Sequence, residues 1–232
     1  GKFGGALSHW RPDDLLAYVL RALLQRNESV DPARIEDVIA GAANQAGEDN
    51  RNVARMASLL AGLPVTVPGN TVNRLCASGL QAIMDGARQI ATGDAELIIA
   101  SGVESMTRAP FVMGKSNTAF DRQTSFFDTT LGWRFINPRL AAQYPPFTMG
   151  ETAENIARQW NISRHAQDEF AMFSQQKYAK AHKEGKFKEE IIPVRVQLGK
   201  DTFDIEIDEH PRLTSLDKLS MLKPAFIKDG TV

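Results

Sequence analysis

The sequence predicts a layered α/β fold, and two features of residues 10–105 indicate it. Segments whose apolar residues recur at helical spacing alternate with short, continuous apolar runs, as in proteins whose helices cover a sheet. The composition is that of a globular protein, since 43% of the 232 residues are hydrophobic and 24% are charged. By the usual scaling of surface with mass, a folded chain of this size exposes about 10,400 Å².

The predicted elements of this region follow one another in a regular order. The first helix opens at Pro12 and carries leucines on one face, and the second helix is stopped by Gly62. The continuous apolar run at 96–103 predicts a strand that is covered on both faces. In chain order we predict helix 13–26, strand 35–41, helix 52–60, strand 70–73, a long helix beginning near residue 76 and strand 96–103.

The pattern changes after about residue 110. Residues 114–148 mix polar, aromatic, Gly and Pro residues without a period, which is typical of a lid, an interface or a binding loop. Helices are predicted over 150–160 and 163–185, the second with a Ser as N-cap and a Gly as stop. Alternation over 191–198 and 202–207 predicts a small antiparallel pair. The stripe that helix 163–185 should bury is formed by Ala166, Phe170, Phe173, Ser174 and Tyr178.

Charge, hydropathy and cysteine usage exclude several classes of protein. Twenty-seven basic residues against 28 acidic ones give a net charge of −1, so no nucleic-acid partner is expected. No apolar run reaches the roughly 18 residues of a membrane span, so no membrane partner is expected either. The single cysteine excludes an internal disulfide and a cysteine-based zinc site, and we predict no metal site. We expect a cytoplasmic protein, and both ends of the chain read as cut.

Cys76 is the residue that most strongly indicates chemistry. It is predicted in the first turn of a helix that directly follows a strand. Backbone N–H groups without intrahelical partners and the positive end of the helix dipole lie there, and both favour a nucleophilic thiolate. The small residues 77–79 would let a substrate approach, and the same N–H groups would hold a thioester oxygen as its charge develops. The alternative is an inert core cysteine in a tightly packed helix.

Five motifs, in order along the chain, resemble segments of the thiolase family. The nucleophile motif is Asn-Arg-Leu-Cys-Ala-Ser-Gly at 73–79, followed by Ser-Gly-Val-Glu-Ser-Met-Thr at 101–107. The other four matches are Gly-Lys-Phe-Gly-Gly at 1–5, Met-Gly-Glu-Thr-Ala-Glu-Asn at 149–155, Leu-Asp-Lys-Leu at 216–219 and Leu-Lys-Pro-Ala-Phe at 222–226. Each match alone is modest evidence, but together and in sequence they are strong.

The resemblance implies a thiolase-like fold with two similar α/β halves, each built on a mixed sheet, and a loop domain inserted in the first half. Residues 1–113 would form the N-terminal α/β domain without its first strand, and 114–225 the inserted loop domain. Residues 226–232 would begin the return to the N-terminal domain. Apolar helix faces and open sheet edges would then be exposed, so we expect this chain alone to be poorly stable and inactive.

The resemblance also implies Claisen chemistry on acyl-CoA. Cys76 would accept an acyl group, which a carbanion from acetyl-CoA attacks in synthesis and CoA attacks in degradation. Coenzyme A would be a substrate, and no cofactor is expected. The family's catalytic histidine and second cysteine lie in Gly-His-Pro and Cys-x-Gly motifs, and residues 1–232 contain neither motif. Family members are homodimers or homotetramers, with the strand near 71–73 pairing across the dimer.

By resemblance, the inserted domain would bind coenzyme A. Met149, Leu222 and Phe226 would line the pantetheine channel, and Arg212 would lie near the adenine nucleotide. Core packing is the alternative for the three apolar residues. Thr148 departs from the His that many short-chain thiolases carry beside this Met, which puts a contact there in doubt.

Acyl specificity and two other functional interpretations stay open. Residues 129–138 are similar to bacterial thiolases that act on 3-oxoadipyl-CoA and to some acetyl-CoA acetyltransferases. Another Claisen enzyme of the superfamily is a second interpretation, although the motif at 222–226 and the insertion argue against it. A non-catalytic thiolase-like scaffold, in which Cys76 is structural, is the third.

Overall fold

The computed structural model describes residues 1–116 and 118–232, which form two units. The first unit is Phe3–Leu131, and the second is Gly132–Val232 together with Gly1–Lys2. The first unit contains α1 (Pro12–Arg26), β1 (Asp37–Gly41), α2 (Val53–Ala61), β2 (Gly69–Val72), α3 (Ser78–Thr92), β3 (Ile98–Gly102), β4 (Phe111–Met113) and β5 (Phe126–Asp128), with a short 3₁₀ helix at Pro32–Arg34. The second contains α4 (Pro138–Ala141), α5 (Met149–Gln159), α6 (Arg164–Lys183), β6 (Val194–Leu198), β7 (Asp201–Ile205) and α7 (Leu216–Ser220). The predicted α/β class is confirmed.

A parallel sheet of three strands organises the first unit, with β1 between β2 and β3. Val38 and Ala40 of β1 are fully buried in a core shared with α1 and α2. Ile39 points to the opposite face, because side chains alternate along a strand, and it is also fully buried. The central strand is therefore covered on both faces. The antiparallel pairs, β4 with β5 and β6 with β7, form separate two-stranded sheets.

The prediction that the strand at 96–103 is covered on both faces is wrong. Ile99 faces the buried core, but Ala100 and Gly102 are exposed. β3 pairs only with β1 among the described strands, so it lies at the edge of this sheet. The helix α3 reaches the strand through Gly86, where an added Cβ would lie 3.2 Å from Ile98, and it leaves the next residue on that face uncovered.

The other predicted elements of the first unit are confirmed to within two residues at their starts. The helix α2 is capped by Asn52, whose side chain accepts a hydrogen bond from Arg55 N at 3.2 Å, and it ends at Gly62 with φ +87°. Glycine also ends α3, at Gly93 with φ +78°. The start of α3 is shifted by two residues, because its first helical residue is Ser78 rather than a residue near position 76.

The predicted helices and strand pair of the second unit are also confirmed. Thr148 and Glu151 form a reciprocal capping box at the start of α5. The helix α6 begins after the predicted N-cap Ser163, whose side chain accepts from Ala166 N at 3.2 Å. Gly185, one residue past the C-cap Glu184, has φ +70° and stops the helix as expected.

The predicted buried stripe of α6 is wrong. Phe170 and Phe173 are exposed by 78% and 50%, and Ala166 and Ser174 are also exposed. The residue of α6 that is buried is Asp168, which pairs with Arg164 at 2.9 Å. Arg164 in turn donates to Leu219 O of α7 at 2.5 Å. The buried contact between α6 and α7 is thus made by the polar residues Arg164 and Asp168, which hydrophobic periodicity does not predict.

The chain exposes far more surface than predicted. Its accessible area is 16400 Å², so the expectation of about 10,400 Å² is wrong. Part of the excess lies on α3, where Leu80, Ile83 and Ile90 are at least half exposed. The predicted domains 1–113, 114–225 and 226–232 stay predictions, because the two units are defined by the contacts within this chain and not by the domain boundaries of the family. Across the described residues, no helix is long and apolar enough to cross a bilayer.

Candidate active site

Cys76 lies in the short connection between β2 and α3, and its side chain is exposed. The prediction that it sits within the first helical turn is corrected by two residues, because Ala77 is the N-cap and Ser78 begins the helix. The exposure of Cys76 contradicts the alternative of an inert core cysteine. The thiol is therefore presented at the start of α3 without being part of it.

A tight turn over residues 73–78 holds Cys76. Leu75 has φ +51°, a left-handed conformation that a branched side chain rarely adopts. The side chain of Asn73 accepts from Leu75 N at 2.9 Å and so favours this conformation. Two backbone hydrogen bonds close the turn, from Ala77 N to Arg74 O at 3.1 Å and from Ser78 N to Leu75 O at 3.0 Å.

The buried side chain of Ser78 forms hydrogen bonds with the same turn. The residue is only 4% exposed. Its Oγ accepts from Arg74 N at 2.8 Å and donates to Leu75 O at 2.6 Å. The hydroxyl thus gives Arg74 N an acceptor and gives Leu75 O a second donor besides Ser78 N.

Two glycines, Gly41 and Gly102, let the start of α3 pack closely against the sheet. A Cβ on Gly41 would overlap the backbone of Ser78 and Gly79. A Cβ on Gly102 would lie 3.1 Å from Gly41 O and 3.7 Å from Gly79 Cα. Because Gly41 and Gly102 are the last residues of β1 and β3, the thiol-bearing turn rests against the carboxyl edge of the parallel sheet. That edge is where open α/β sheets place their ligand sites.

Several backbone N–H groups near the thiol have no protein acceptor. Among the described residues, none accepts a hydrogen bond from the N–H of Cys76, Gly79 or Leu80. The amides of Ala77 and Ser78, by contrast, are used within the turn. The free N–H groups and the helix dipole together give the position a partial positive charge, which suits a developing oxyanion.

The loop 42–51 lies beside this turn and carries acidic groups that sequence reasoning missed. Asn73 Nδ2 donates to Ala43 O of the loop at 2.9 Å. Burial, with a further contribution from Glu104, raises the pKa of Asp49 to about 6. The hydrogen bond from Arg108 lowers the pKa of Glu48, and the pair is 2.5 Å apart. In the sequence, the motif at 101–107 contains the acidic residue Glu104. No sequence spacing predicts that this residue lies near the loop 42–51.

The predicted coenzyme A residues all lie in the second unit, whereas Cys76 lies in the first. Met149 begins α5 and is 80% exposed, and Leu222 and Phe226 are each more than half exposed. Their roles in binding coenzyme A stay predictions. Arg212 is exposed as well, and its backbone N–H donates to Gln175 of α6 at 2.7 Å.

Phe226 packs against the start of α5, the helix that Met149 begins. Its ring lies against Gly150, the second residue of α5, so closely that a Cβ there would overlap the ring. The segment after Phe226 is fastened by Glu154, whose carboxylate accepts from the N–H groups of Thr231 and Val232 at 2.8 Å each. These bonds lower the pKa of Glu154, the bond from Val232 most of all. Within the part of the chain that the structure describes, no cluster of three or more His, Cys, Asp or Glu residues could hold a metal ion.

Comparison with known proteins decides the family. The model of the thiolase N-terminal domain matches residues 1–232. The chain belongs to the thiolase family. The 3-oxoadipyl-CoA/3-oxo-5,6-dehydrosuberyl-CoA thiolase of Escherichia coli K12 is 56% identical to it, over 100% of this chain and 58% of that protein. The acetyl-CoA acetyltransferase of Cupriavidus necator is 44% identical, with the same coverage.

A solved structure shows the same fold. The Bacillus anthracis acetyl-CoA acetyltransferase matches with a TM-score of 0.87 and 38% identity, over 100% of this chain and 57% of that one. The thiolase resemblance and the thiolase-like fold predicted from the motifs are therefore confirmed. The chain spans 58% of the length of the curated relatives that it matches. Residues 1–232 contain the motif around Cys76 and contain no Gly-His-Pro or Cys-x-Gly sequence.

Proposed function

We propose that the protein is a thiolase enzyme in which Cys76 carries an acyl group between coenzyme A thioesters. The observation that carries the proposal is an exposed cysteine on a tight turn at the carboxyl edge of the sheet, in a chain of this family. In cleavage, the thiolate attacks the keto carbon of a 3-ketoacyl-CoA and the C–C bond breaks. The departing acetyl-CoA carbanion takes a proton, and the shortened acyl group stays on Cys76 until CoA sulfur attacks it and regenerates the thiol.

The free amides near Cys76 supply the electrostatic part of this reaction. The N–H groups of Cys76 and Gly79 have no protein acceptor, so they are available to the oxygen that becomes negative during attack. The proton-transferring histidine and second cysteine would come from the Gly-His-Pro and Cys-x-Gly motifs, which residues 1–232 do not contain. This chain would thus contribute the nucleophile, and we expect it to be inactive without the groups that those motifs provide.

The second unit would bind coenzyme A, which is a substrate, and no cofactor is required. Met149, Leu222 and Phe226 present exposed apolar surface of the kind that suits pantetheine, and Arg212 adds a cation for a phosphate. Residues 114–225 would form the inserted binding domain. We further propose a cytoplasmic homodimer or homotetramer with no nucleic-acid or membrane partner.

The proposed substrate class is a 3-ketoacyl-CoA with a second carboxylate, as in 3-oxoadipyl-CoA. It is supported by relatives named beta-ketoadipyl-CoA thiolase at 54–56% identity, against 44% for the acetyl-CoA acetyltransferase. The complete gene product should therefore cleave 3-oxoadipyl-CoA with a higher kcat/KM than acetoacetyl-CoA. The reverse order would overturn this substrate class without touching the assignment of Cys76.

Alkylation of the single cysteine tests the enzymatic proposal. In the complete gene product, iodoacetamide at neutral pH should label Cys76 rapidly, and prior incubation with acetyl-CoA should block the labelling. Cys76→Ser, which cannot be alkylated at sulfur, is the control. Labelling at the rate of an ordinary thiol, with no protection by acetyl-CoA, would instead support the non-catalytic scaffold.

A further inference from the structure

We propose that Asn73 is a positioning residue for the Cys76 nucleophile, and that Glu104 anchors Asn73 through residues 42–44. The proposal rests on the proposed function, because it assigns a task to groups around the thiol that would accept the acyl chain. It concerns how the sulfur is aimed, and it gives neither residue a contact with the substrate.

The first arm of this arrangement reaches the residue before the cysteine. Asn73 Oδ1 accepts from Leu75 N at 2.9 Å, and Leu75 has φ +51°. A side-chain acceptor two residues upstream stabilises such a turn, as in other Asx turns. Because Cys76 directly follows Leu75, the backbone angles of Leu75 set the direction in which the thiol projects.

The second arm ties Asn73 to the edge of the sheet. Its Nδ2 donates to Ala43 O at 2.9 Å, just after the end of β1. The carboxylate of Glu104 accepts from Ala43 N at 2.7 Å and from Asn44 N at 3.3 Å. Residues 43 and 44 are therefore held on one side by Glu104, which follows β3, and Ala43 is held on the other by Asn73, which follows β2.

The three side chains around the turn differ in what their removal would do. Ser78 is buried, so loss of its hydroxyl would remove the acceptor of Arg74 N and change packing inside the fold. In the isolated chain Asn73 and Glu104 are exposed, so their removal would leave no cavity within this unit. Changing Asn73 should therefore alter the orientation of the turn more than the stability of the unit.

The test uses Asn73→Ala in the complete gene product. We expect kcat to fall about 10- to 100-fold, because small misplacements of a reacting atom are costly, with the KM for the CoA substrate within about twofold of wild type. The iodoacetamide labelling rate of Cys76 should fall as well. Asn73→Ser keeps an oxygen that can accept from Leu75 N, so it should recover most of both losses. Glu104→Gln, which weakens the second arm and leaves the first arm intact, should lower kcat by about threefold.

Asn52→Ala is the matched control, because Asn52 caps α2 and bonds Gly69 O at 2.9 Å without contacting the 73–78 turn. It should lower the melting temperature and leave kcat and the labelling rate unchanged. Wild-type kcat and labelling in Asn73→Ala, or equal losses in Asn73→Ala and Asn52→Ala, would overturn the positioning role. If Asn73→Ala does not fold, the kcat of Asn73→Ser is compared with that of Glu104→Gln. A loss of kcat in Asn73→Ser that is no larger than the loss in Glu104→Gln supports the role. A larger loss overturns it. A wild-type protein with neither turnover nor rapid labelling would instead contradict the proposed function.

Discussion

The two units of the chain are held together by different forces. The first unit has a continuous apolar core, in which Leu16, Leu20, Val38 and Val53 are at most 2% exposed. In the second unit, the buried apolar residues among those described are Ala157, Val194 and Val196. That unit is stabilised by hydrogen bonds instead. Glu154 accepts from the backbone of residues 231–232, and Arg164 donates to the backbone of α7.

The difference matches the tasks that we propose for the two units. A nucleophile needs a fixed position, and Cys76 sits on a turn that rests on the packed end of the sheet. A channel for a long, flexible substrate needs accessible apolar surface, and Met149, Leu222 and Phe226 provide it. We infer that substitutions near Cys76 act through packing, whereas those near Met149 act through binding.

The largest effect should come from Gly41→Ala in the first unit. The new Cβ would overlap the backbone of Ser78 and Gly79, and backbone cannot rotate out of the way. We expect the free energy of unfolding to fall by more than about 3 kcal/mol, measured by urea denaturation. Gly79→Ala is the control, since its Cβ would meet nothing within 4 Å and it should change stability by less than about 1 kcal/mol. Equal effects of the two variants would show that the helix start is not packed on the sheet as described.

The second-largest effect is a dependence of stability on pH, whose sign differs between the two units. Burial raises the pKa of Asp49 to about 6, above the value of about 4 in an unfolded chain, so the folded state binds this proton more tightly. Stability from this group is complete below about pH 4 and is lost as pH rises through 6. Asp49→Asn removes the titration, so its stability relative to wild type should grow from near zero at pH 4 to as much as about 3 kcal/mol at pH 8.

Glu154 of the second unit should show the opposite sign. Its pKa is lowered, so its contribution is present above its unfolded pKa and is lost as pH falls through the folded value. Glu154→Gln should therefore be less stable than wild type near neutral pH and should approach wild type in acid. Urea unfolding of both variants from pH 8 down to about pH 2 checks the contrast. Parallel curves for Asp49→Asn and Glu154→Gln would contradict it.

The smallest effect should come from Gly150→Ala in the second unit. The Cβ would overlap the ring of Phe226, but this partner is a side chain that can rotate. We expect a loss of about 1 kcal/mol and a several-fold higher KM for the CoA substrate, with kcat unchanged. In the double variant Gly150→Ala with Phe226→Ala the stability loss should disappear relative to Phe226→Ala alone. A drop in kcat rather than a rise in KM would break the division of tasks between the units.

Sequence patterns predicted most of the first unit because its elements obey hydrophobic periodicity. The helices and strands from Pro12 to Gly102 were found to within a few residues, and the motif at 73–79 located the thiol. The same reasoning failed for α6, where Phe170 and Phe173 are exposed and the packed side is polar. Asn73 and Glu104 lie in the quoted motifs, but their hydrogen bonds were not predicted, because they join segments 30 and 60 positions apart and leave no local pattern.

The central claim is that the sulfur of Cys76 carries the acyl group. Mass spectrometry of the complete gene product after brief incubation with acetyl-CoA tests it directly. The account predicts one acetyl group per chain, mapped to the peptide that contains Cys76, lost when CoA is added and absent in Cys76→Ser. An unmodified Cys76 under these conditions, or acetylation that persists in Cys76→Ser, would contradict the claim.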